Sequence, residues 1–388
     1  MGNNGRKLKI CHIITRMIVG GAQENTLLTI IGHIKKGHDV TLITGPSPGP
    51  EGKLLERSDY PEFEIIEMPS LVRELNPLKD WQAVKALKKL FRERKFDVVH
   101  THSSKAGVVG RAAAWKAKVP FICHTVHGQA FHAYEQPLKN FIYKASERWA
   151  AKRCHKIYAV AQAMIDQCVE ANVAPREKYK VVYSGMEIER FLNSKPEPEL
   201  RDQLGIPADA IVLGTVARLF PLKGYEYIIP AAEKICKQHP NVHFLIIGNG
   251  PMKDEMDADI AKLGLTDHFH FSGLVAPDQV YRYIALMDML LHLSLREGLP
   301  RSVVQSLASG KPAIGFELDG TPEVITNGET GFVVTPESIP EVEAAVLKLL
   351  DDPELRRKCG EQGRKKVAEQ FSWQRMADVL EQEYLKYT

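Results

Sequence analysis

No stretch of this sequence approaches the roughly 18 consecutive apolar residues that span a bilayer. The longest apolar run, 284–295, is broken by Asp288 and His292. No Cys-x-x-Cys pair occurs among the six cysteines at 11, 123, 154, 168, 236 and 359. Zinc-ribbon and dithiol frameworks are thereby excluded, and buried free thiols in a reducing compartment are the expectation. Three cysteines precede a histidine: Cys11-His12, Cys123-His124 and Cys154-His155. Neighbours on a strand point to opposite faces, so such a dipeptide chelates poorly and no metal site is expected. A Gly-x-Gly-x-x-Gly turn is also missing after the first strand. The chain reads Arg16-Met17-Ile18-Val19-Gly20-Gly21 there, which argues against a dinucleotide-binding oxidoreductase. The opening Met1-Gly2-Asn3-Asn4-Gly5-Arg6 does not read as a secretory signal, and a cytoplasmic location is expected.

Charge of one sign is scarce only locally. The 388 residues carry a net +3, yet residues 1–195 hold 31 Lys and Arg against 19 Asp and Glu, whereas the remainder holds 20 against 29. A basic half joined to an acidic half suggests that the first half meets something anionic.

The alternation of strand and helix signals is regular. Leu8–Thr15 reads as a buried strand, then a Gly20-Gly21-Ala22 turn, a helix to about Lys36 and a strand Asp39–Thr44. Val84, Leu87, Leu90 and Phe91 recur at helical spacing, which predicts a helix over about 80–95. Strand Asp97–Thr101, helix 105–118 and strand Phe121–Val126 follow. Lys195-Pro196-Glu197-Pro198 reads as a linker, after which the pattern restarts with strands at Ile211–Ala217, Val242–Ile247, His268–Phe271, Met289–Leu293, Pro312–Gly315 and Gly331–Val334. Such alternation implies two doubly wound parallel-sheet α/β halves, Rossmann-like, over 1–195 and 196–370. Ligands of such sheets bind at the carboxyl ends of strands, and a cleft between the halves is the natural site.

Glu297-Gly298-Leu299-Pro300-Arg301-Ser302 places an acid on a Gly-Pro turn that opens a short amphipathic helix, which Gly310 ends. Pro300 reads as the first helical residue, with fixed φ and no lost donor. The N–H groups of that first turn and their partial positive charge suit a phosphate. Glu297 can accept hydrogen bonds from sugar hydroxyls, and Gln305, two turns into the helix, can reach a ribose. Val216-Ala217-Arg218-Leu219-Phe220-Pro221-Leu222-Lys223-Gly224 follows the first strand of the second half. Arg218 as a fork and Lys223 as a point charge can converge on one diphosphate. Gly20 and Gly21 allow close backbone approach of a ligand at a helix N-terminus.

These residues resemble the signature of family 4 retaining nucleotide-sugar glycosyltransferases, which have the GT-B fold. In that family two glutamates bracket seven residues; here the first is Glu297, and Gln305 occupies the place of the second. Further stretches match the family: Gly248-Asn249-Gly250-Pro251, Ser272-Gly273-Leu274-Val275, Asp319-Gly320-Thr321-Pro322-Glu323, and His100-Thr101-His102-Ser103-Ser104-Lys105-Ala106-Gly107. The last is common among bacterial envelope-polysaccharide members. The resemblance implies that Gly20 and Gly21 lie beside the donor phosphates and sugar, and that the backbone at Leu274 meets the base. His127, in His124-Thr125-Val126-His127-Gly128, is implied at the reacting carbon. His124, read as sharing the strand face of His127, is expected to be structural. The segment 371–388 is implied to cross back onto the first domain.

The expected activity is transfer of a hexose-type sugar from a nucleotide diphosphate sugar, most commonly UDP-linked, to a lipid-linked or glycan acceptor in cell-envelope polysaccharide synthesis, with retained anomeric configuration. The catalytic residues are Glu297, His127, Arg218 and Lys223. The donor-binding residues are Gly20, Gly21, Gly248, Gly250, Leu274, Gly298, Leu299, Pro300, Arg301, Ser302 and Gln305. Arg218, Lys223 and the helix N-terminus would stabilise the departing diphosphate, so no metal or cofactor is expected; no clear Asp-x-Asp metal motif is seen. The alternative, motivated by Gln305, is a catalytically inactive nucleotide-sugar-binding regulatory subunit. No nucleic-acid partner is expected.

Two helices of the basic half motivate a peripheral membrane contact on the inner face of the plasma membrane. One carries Lys85, Lys88, Lys89, Arg92, Arg94 and Lys95. The other sets Leu138, Phe141, Ile142, Ala145 and Trp149 on one stripe among Lys139, Lys144, Arg148, Lys152 and Arg153. The competing reading packs both stripes on the first sheet.

Overall fold

Buried parallel strands leave both faces covered, so their sequences run apolar throughout rather than alternating. Val242–Ile247 shows the effect, with all six residues buried. The computed structural model describes residues 6–47, 54–56 and 60–388. The leader reading of Met1-Gly2-Asn3-Asn4-Gly5 falls outside these.

The described chain forms two compact units, the first ending at Met186 and regaining Ser372–Thr388, the second spanning Glu187–Phe371. Seven strands build the first sheet: β1 Lys9–Ile14, β2 Asp39–Thr44, β3 Glu64–Glu67, β4 Val98–His102, β5 Phe121–Val126, β6 Lys156–Ala159 and β7 Tyr179–Val181. Their order is β3-β2-β1-β4-β5-β6-β7, and every pairing is parallel. The second sheet holds β8 Ile211–Val216, β9 Val242–Ile247, β10 Phe269–Gly273, β11 Met289–His292, β12 Ala313–Phe316 and β13 Gly331–Val334. Its order is β10-β9-β8-β11-β12-β13, again all parallel. Both sheets reverse strand order beside their first strand, and a ligand crevice opens at the carboxyl ends there.

In the first unit, helices Gly21–Lys35 and Trp373–Tyr387 pack together, and the core they share with the sheet contains Ile10, Ile14, Val98, Phe121, Met376 and Tyr384. Helices Pro77–Arg94, Ser104–Ala117 and Pro137–Ala151 pack side by side, with Ser104–Ala117 against β1, β4 and β5. In the second unit, helices Tyr225–Gln238 and Ile339–Asp351 pack on each other over a core that includes Leu213, Phe244, Leu291 and Phe316.

The unit boundary lies between Met186 and Glu187 rather than at the proline-rich stretch 195–198. Residues 187–195 belong to the second unit by their contacts. Phe191 meets the Tyr281 ring at 6.4 Å, Ser194 bonds Ser309 at 3.3 Å, and Arg190 bonds the Asp278 carbonyl at 3.3 Å. Three strands escape the sequence pattern, namely β3, β6 and β7, each of four residues or fewer.

Candidate active site

The second unit gathers most of the expected site at the carboxyl rim of its sheet. β8 exits into the loop carrying Arg218 and Lys223, and the neighbouring β11 exits into the loop carrying Ser294 and Glu297. Lys223 Nζ lies 2.5 Å from Glu297 Oε1 and 3.4 Å from Ser294 Oγ. The Glu297 N–H donates to Asp319 Oδ2 at 2.7 Å, and the Gly320 N–H to the Gly298 carbonyl at 3.1 Å, so the exit of β12 holds the acid in place.

The loop before Lys223 is clamped. Leu222 has φ +68, a strained region for a branched side chain. Its carbonyl accepts from Ser294 Oγ at 3.1 Å and from the Leu295 N–H at 2.9 Å, which offsets the strain. Gly224 has φ +87, and a Cβ there would sit 2.2 Å from the Leu293 carbonyl oxygen. Glycine is therefore required for Lys223 to lie against β11. Gly248, φ +146, has the same role across the sheet: a Cβ would meet the Ala217 oxygen at 2.0 Å. Gly250 packs on Leu219, so the exit of β9 lies directly against the arginine-bearing turn. Leu274, after β10, is 80% exposed beside this loop, with the Gly248 N–H donating to the Gly273 carbonyl at 3.0 Å.

Charge on Glu297 is set by two opposed effects. Burial would raise its pKa, but the Lys223 ammonium, with smaller contributions from His292 and Ser294, outweighs burial and holds the carboxyl below its usual range. Burial lowers the pKa of His292, whose Nδ1 lies 3.2 Å from Ser302 Oγ. An ammonium has three donors. Two of those on Lys223 point at Glu297 and Ser294, which leaves one for a ligand oxygen. Arg218 is exposed, its guanidinium 4.8 Å over the Phe220 ring, and it makes no ion pair among the described residues.

Helix Arg301–Ala308 begins one residue later than expected. Pro300 is the N-cap, with φ −72 and ψ 99, because the turn is still extended there. Gly310, at φ +72, ends the helix. Gly298, Leu299, Arg301 and Ser302 occupy the turn and its first helical residues; Leu299 and Ser302 are buried. Gln305 is half-buried, and its amide has no side-chain partner among the described residues. An Asp-x-Asp triplet does occur, at Asp257-Ala258-Asp259, but on the exposed flank of helix Lys253–Lys262, where Asp257 pairs with Lys253.

The remaining expected residues belong to the first unit. Gly20 and Gly21 follow β1 at the start of helix Gly21–Lys35. His127 lies just past β5 on the wall of a cavity of about 320 Å³ that Ser103, Ser104, Thr125, Gly128, Phe131 and Glu147 also line. His124 is not on the face of His127. It sits three residues back, so the pleat turns it to the opposite side, where Nδ1 lies 3.0 Å from Thr101 Oγ1. His127 Nε2 instead lies 3.1 Å from His102 Nδ1.

A group of buried histidines was not foreseen. His12, on β1, has His100 as its register partner on β4, and His102 shares the face of His100. Candidate ligand atoms of the three lie within 4.8 Å of one another. Taking each histidine only with its cysteine neighbour hides this cluster; the His100-x-His102 alternation is the signal that finds it.

The two open parallel sheets are those of the GT-B fold, and solved structures of that fold superimpose over nearly the whole chain. Residues 19–190 match the family described as Glycosyltransferase Family 4, and residues 196–366 match Glycosyl transferases group 1. The chain belongs to this glycosyltransferase family. It is 27% identical over 392 residues to the UDP-Gal:alpha-D-GlcNAc-diphosphoundecaprenol alpha-1,3-galactosyltransferase of Escherichia coli, covering 99% of this chain and 98% of that protein. It is 26% identical to the capsular polysaccharide biosynthesis glycosyltransferase CapM of Staphylococcus aureus, over 90% of each chain. Anabaena Alr3699/HepE, solved with UDP, superimposes with a TM-score of 0.81 at 23% identity, covering 98% of this chain and 100% of the other.

Proposed function

We propose that this protein is a retaining hexosyltransferase that moves a sugar from a UDP-sugar to a lipid-linked or glycan acceptor in envelope polysaccharide synthesis. The Lys223–Glu297 pair, clamped at the rim of the second sheet, carries the reading. Glu297 is held ionised and oriented to accept from the donor sugar hydroxyls. Lys223 keeps one N–H for the departing diphosphate, Arg218 supplies a fork from the same loop, and the N-terminus of helix Arg301–Ala308 adds its dipole. These groups need no rearrangement as negative charge grows on the leaving group, which is where preorganised electrostatics lowers a barrier most. The leaving phosphate takes the acceptor proton, and no metal takes part.

The acceptor side rests on the first unit. Leu138, Phe141 and Ile142 are 72%, 66% and 44% exposed, so the apolar stripe of helix Pro137–Ala151 faces solvent rather than the sheet. Its polar side is pinned instead: Arg111 bonds Glu147 at 2.7 Å, and Arg148 bonds the Ala171 carbonyl at 2.7 Å. Leu75, Leu78 and Trp81, at the start of helix Pro77–Arg94, are exposed as well. Both helices pack beside Ser104–Ala117, and these exposed apolar residues cluster toward their N-terminal ends. Exposed apolar side chains among Lys and Arg suit an anionic membrane bearing a lipid-diphosphate acceptor. No helix among the described residues is long and apolar enough to cross a membrane. The name of the E. coli relative supports both a UDP-linked donor and a diphosphate-lipid acceptor.

The test is a thermal-shift and turnover screen across UDP-, GDP- and ADP-sugars with a GlcNAc-diphosphate-lipid acceptor. Stabilisation and transfer restricted to UDP-sugars is the expected result. A preference for GDP- or ADP-sugars would replace the donor assignment. Donor binding without transfer to any lipid or glycan acceptor would favour the inactive regulatory subunit.

A further inference from the structure

His292 is the last residue of β11, and its side chain is 6% exposed. Only one edge of its ring is bonded. Nδ1 lies 3.2 Å from the hydroxyl of Ser302, in the first turn of helix Arg301–Ala308. Nε2 is buried with no hydrogen-bond partner. A buried polar atom left unpaired is costly, and native proteins keep few of them. Glu297 Oε1 lies 4.0 Å from this Nε2, about 1 Å beyond a hydrogen bond. That same carboxylate oxygen accepts from Lys223 Nζ at 2.5 Å.

The surroundings decide which nitrogen carries the proton. An imidazolium has an N–H at both positions. A neutral ring has two settings. In one, the Ser302 hydroxyl donates to Nδ1, and Nε2–H faces the carboxylate. In the other, Nδ1–H donates to the Ser302 oxygen, and a bare Nε2 lone pair faces the carboxylate. The first is attractive and the second repulsive. Burial acts most strongly on this ring; of the two nearby charges, Glu297 acts more strongly than Lys223, in keeping with the first setting. Nε2 therefore carries a proton in either charge state. Ser302, His292 and Glu297 form one line from the helix start to the acid, all within the second unit.

The Lys223 ammonium is shared between Glu297 and Ser294. A donor diphosphate competes for the same ammonium. Glu297 then loses part of its hold just as it must accept from the sugar hydroxyls. We infer that His292 is a positioning residue for Glu297: its Nε2–H closes on the carboxylate as the diphosphate draws on Lys223, and Ser302 fixes the ring. No proton is transferred. The inference rests on the reading of Glu297 as the acid that orients the donor sugar.

The experiment pairs spectroscopy with kinetics on the intact protein. Two-bond ¹H–¹⁵N correlation spectra of ¹⁵N-histidine-labelled protein, with His292 assigned through His292→Gln, should show a protonated Nε2 with and without UDP. His292→Gln keeps an N–H near the old Nε2 and should retain kcat within a few-fold, using the UDP-sugar that the donor screen selects. His292→Leu should lose kcat about tenfold or more, the scale of one hydrogen bond to a charged group. Its affinity for UDP, read by calorimetry, should not change, because UDP offers Glu297 no hexose hydroxyl. A bare Nε2 in the wild type, wild-type kcat in His292→Leu, or equal losses in both variants would overturn the inference. So would a parallel loss of UDP affinity in His292→Leu, which marks a merely structural role. If His292→Leu does not fold, the wild-type spectrum and His292→Gln decide, and failure of either overturns it. Wild-type turnover by Glu297→Ala would instead sink the reading of Glu297 itself, whatever the His292 spectrum shows.

Discussion

Lys223 Nζ sits 2.5 Å from Glu297 Oε1, tying the exits of two adjacent strands, β8 and β11, into one charged rim. The two side chains are each 23% exposed, enough to meet a ligand and too little for water to screen the pair strongly. Each partner fixes the other, so a donor diphosphate meets a lysine already in position.

Lys223→Ala should therefore lower kcat by about 10²-fold or more, the scale for one preorganised electrostatic donor. Steady-state turnover, measured at a temperature where circular dichroism shows the variant folded, checks this. A variant within a few-fold of wild type would remove Lys223 from the reaction.

The pair also gives stability a pH dependence of known sign. The Glu297 carboxyl has a lower pKa folded than unfolded. Its contribution is fully present above the unfolded value of about 4.3 and is lost as pH falls through the lower folded value. Glu297→Gln should flatten the acid limb of the stability curve below about pH 4.5. Denaturant titrations from pH 3 to 7 measure it; parallel curves for the two proteins would contradict the ion-pair account.

Gln305 has no competing side-chain partner, which leaves its amide available to a ribose. A carboxylate accepts two hydroxyls better than an amide, by about 1–2 kcal/mol. Gln305→Glu should retain donor affinity or improve it up to about tenfold. Calorimetry with UDP reads the change, and a large loss with the fold intact would show that the amide hydrogens are needed.

Phe141→Ser and Leu138→Ser together should abolish co-sedimentation with phosphatidylglycerol vesicles and leave melting unchanged, because both side chains are exposed. Wild-type binding should weaken at high salt, since each Lys or Arg near the surface contributes about 1 kcal/mol that salt screens. Equal, negligible pelleting with anionic and neutral vesicles would favour a soluble acceptor.

Much of this architecture is legible in the residues. Long apolar strands such as Val242–Ile247 and Asp39–Thr44 are bounded by unmistakable turns, and their limits match the structure residue for residue. β3 reads Glu-Ile-Ile-Glu at a sheet edge, where exposed charges erase the apolar run, and β7 has only three residues. Their existence depends on the neighbouring strand. The rim residues Arg218, Lys223 and Glu297 stand out because glycines and prolines mark the loops that carry them. That Lys223 touches Glu297 is not legible, since it follows from β8 and β11 being neighbours. The histidine cluster likewise needs the β1–β4 register. The outward stripe on Pro137–Ala151 has the pattern of a buried face, and only its exposure separates the two meanings.

The most direct measurement is product formation by the intact protein from an α-linked UDP-hexose and a GlcNAc-diphosphate-lipid acceptor, followed by NMR assignment of the new anomeric centre, with and without excess EDTA. The account predicts an α-linked product at equal rates in both conditions, lost in Lys223→Ala. A β-linked product, or activity abolished by EDTA, would contradict it.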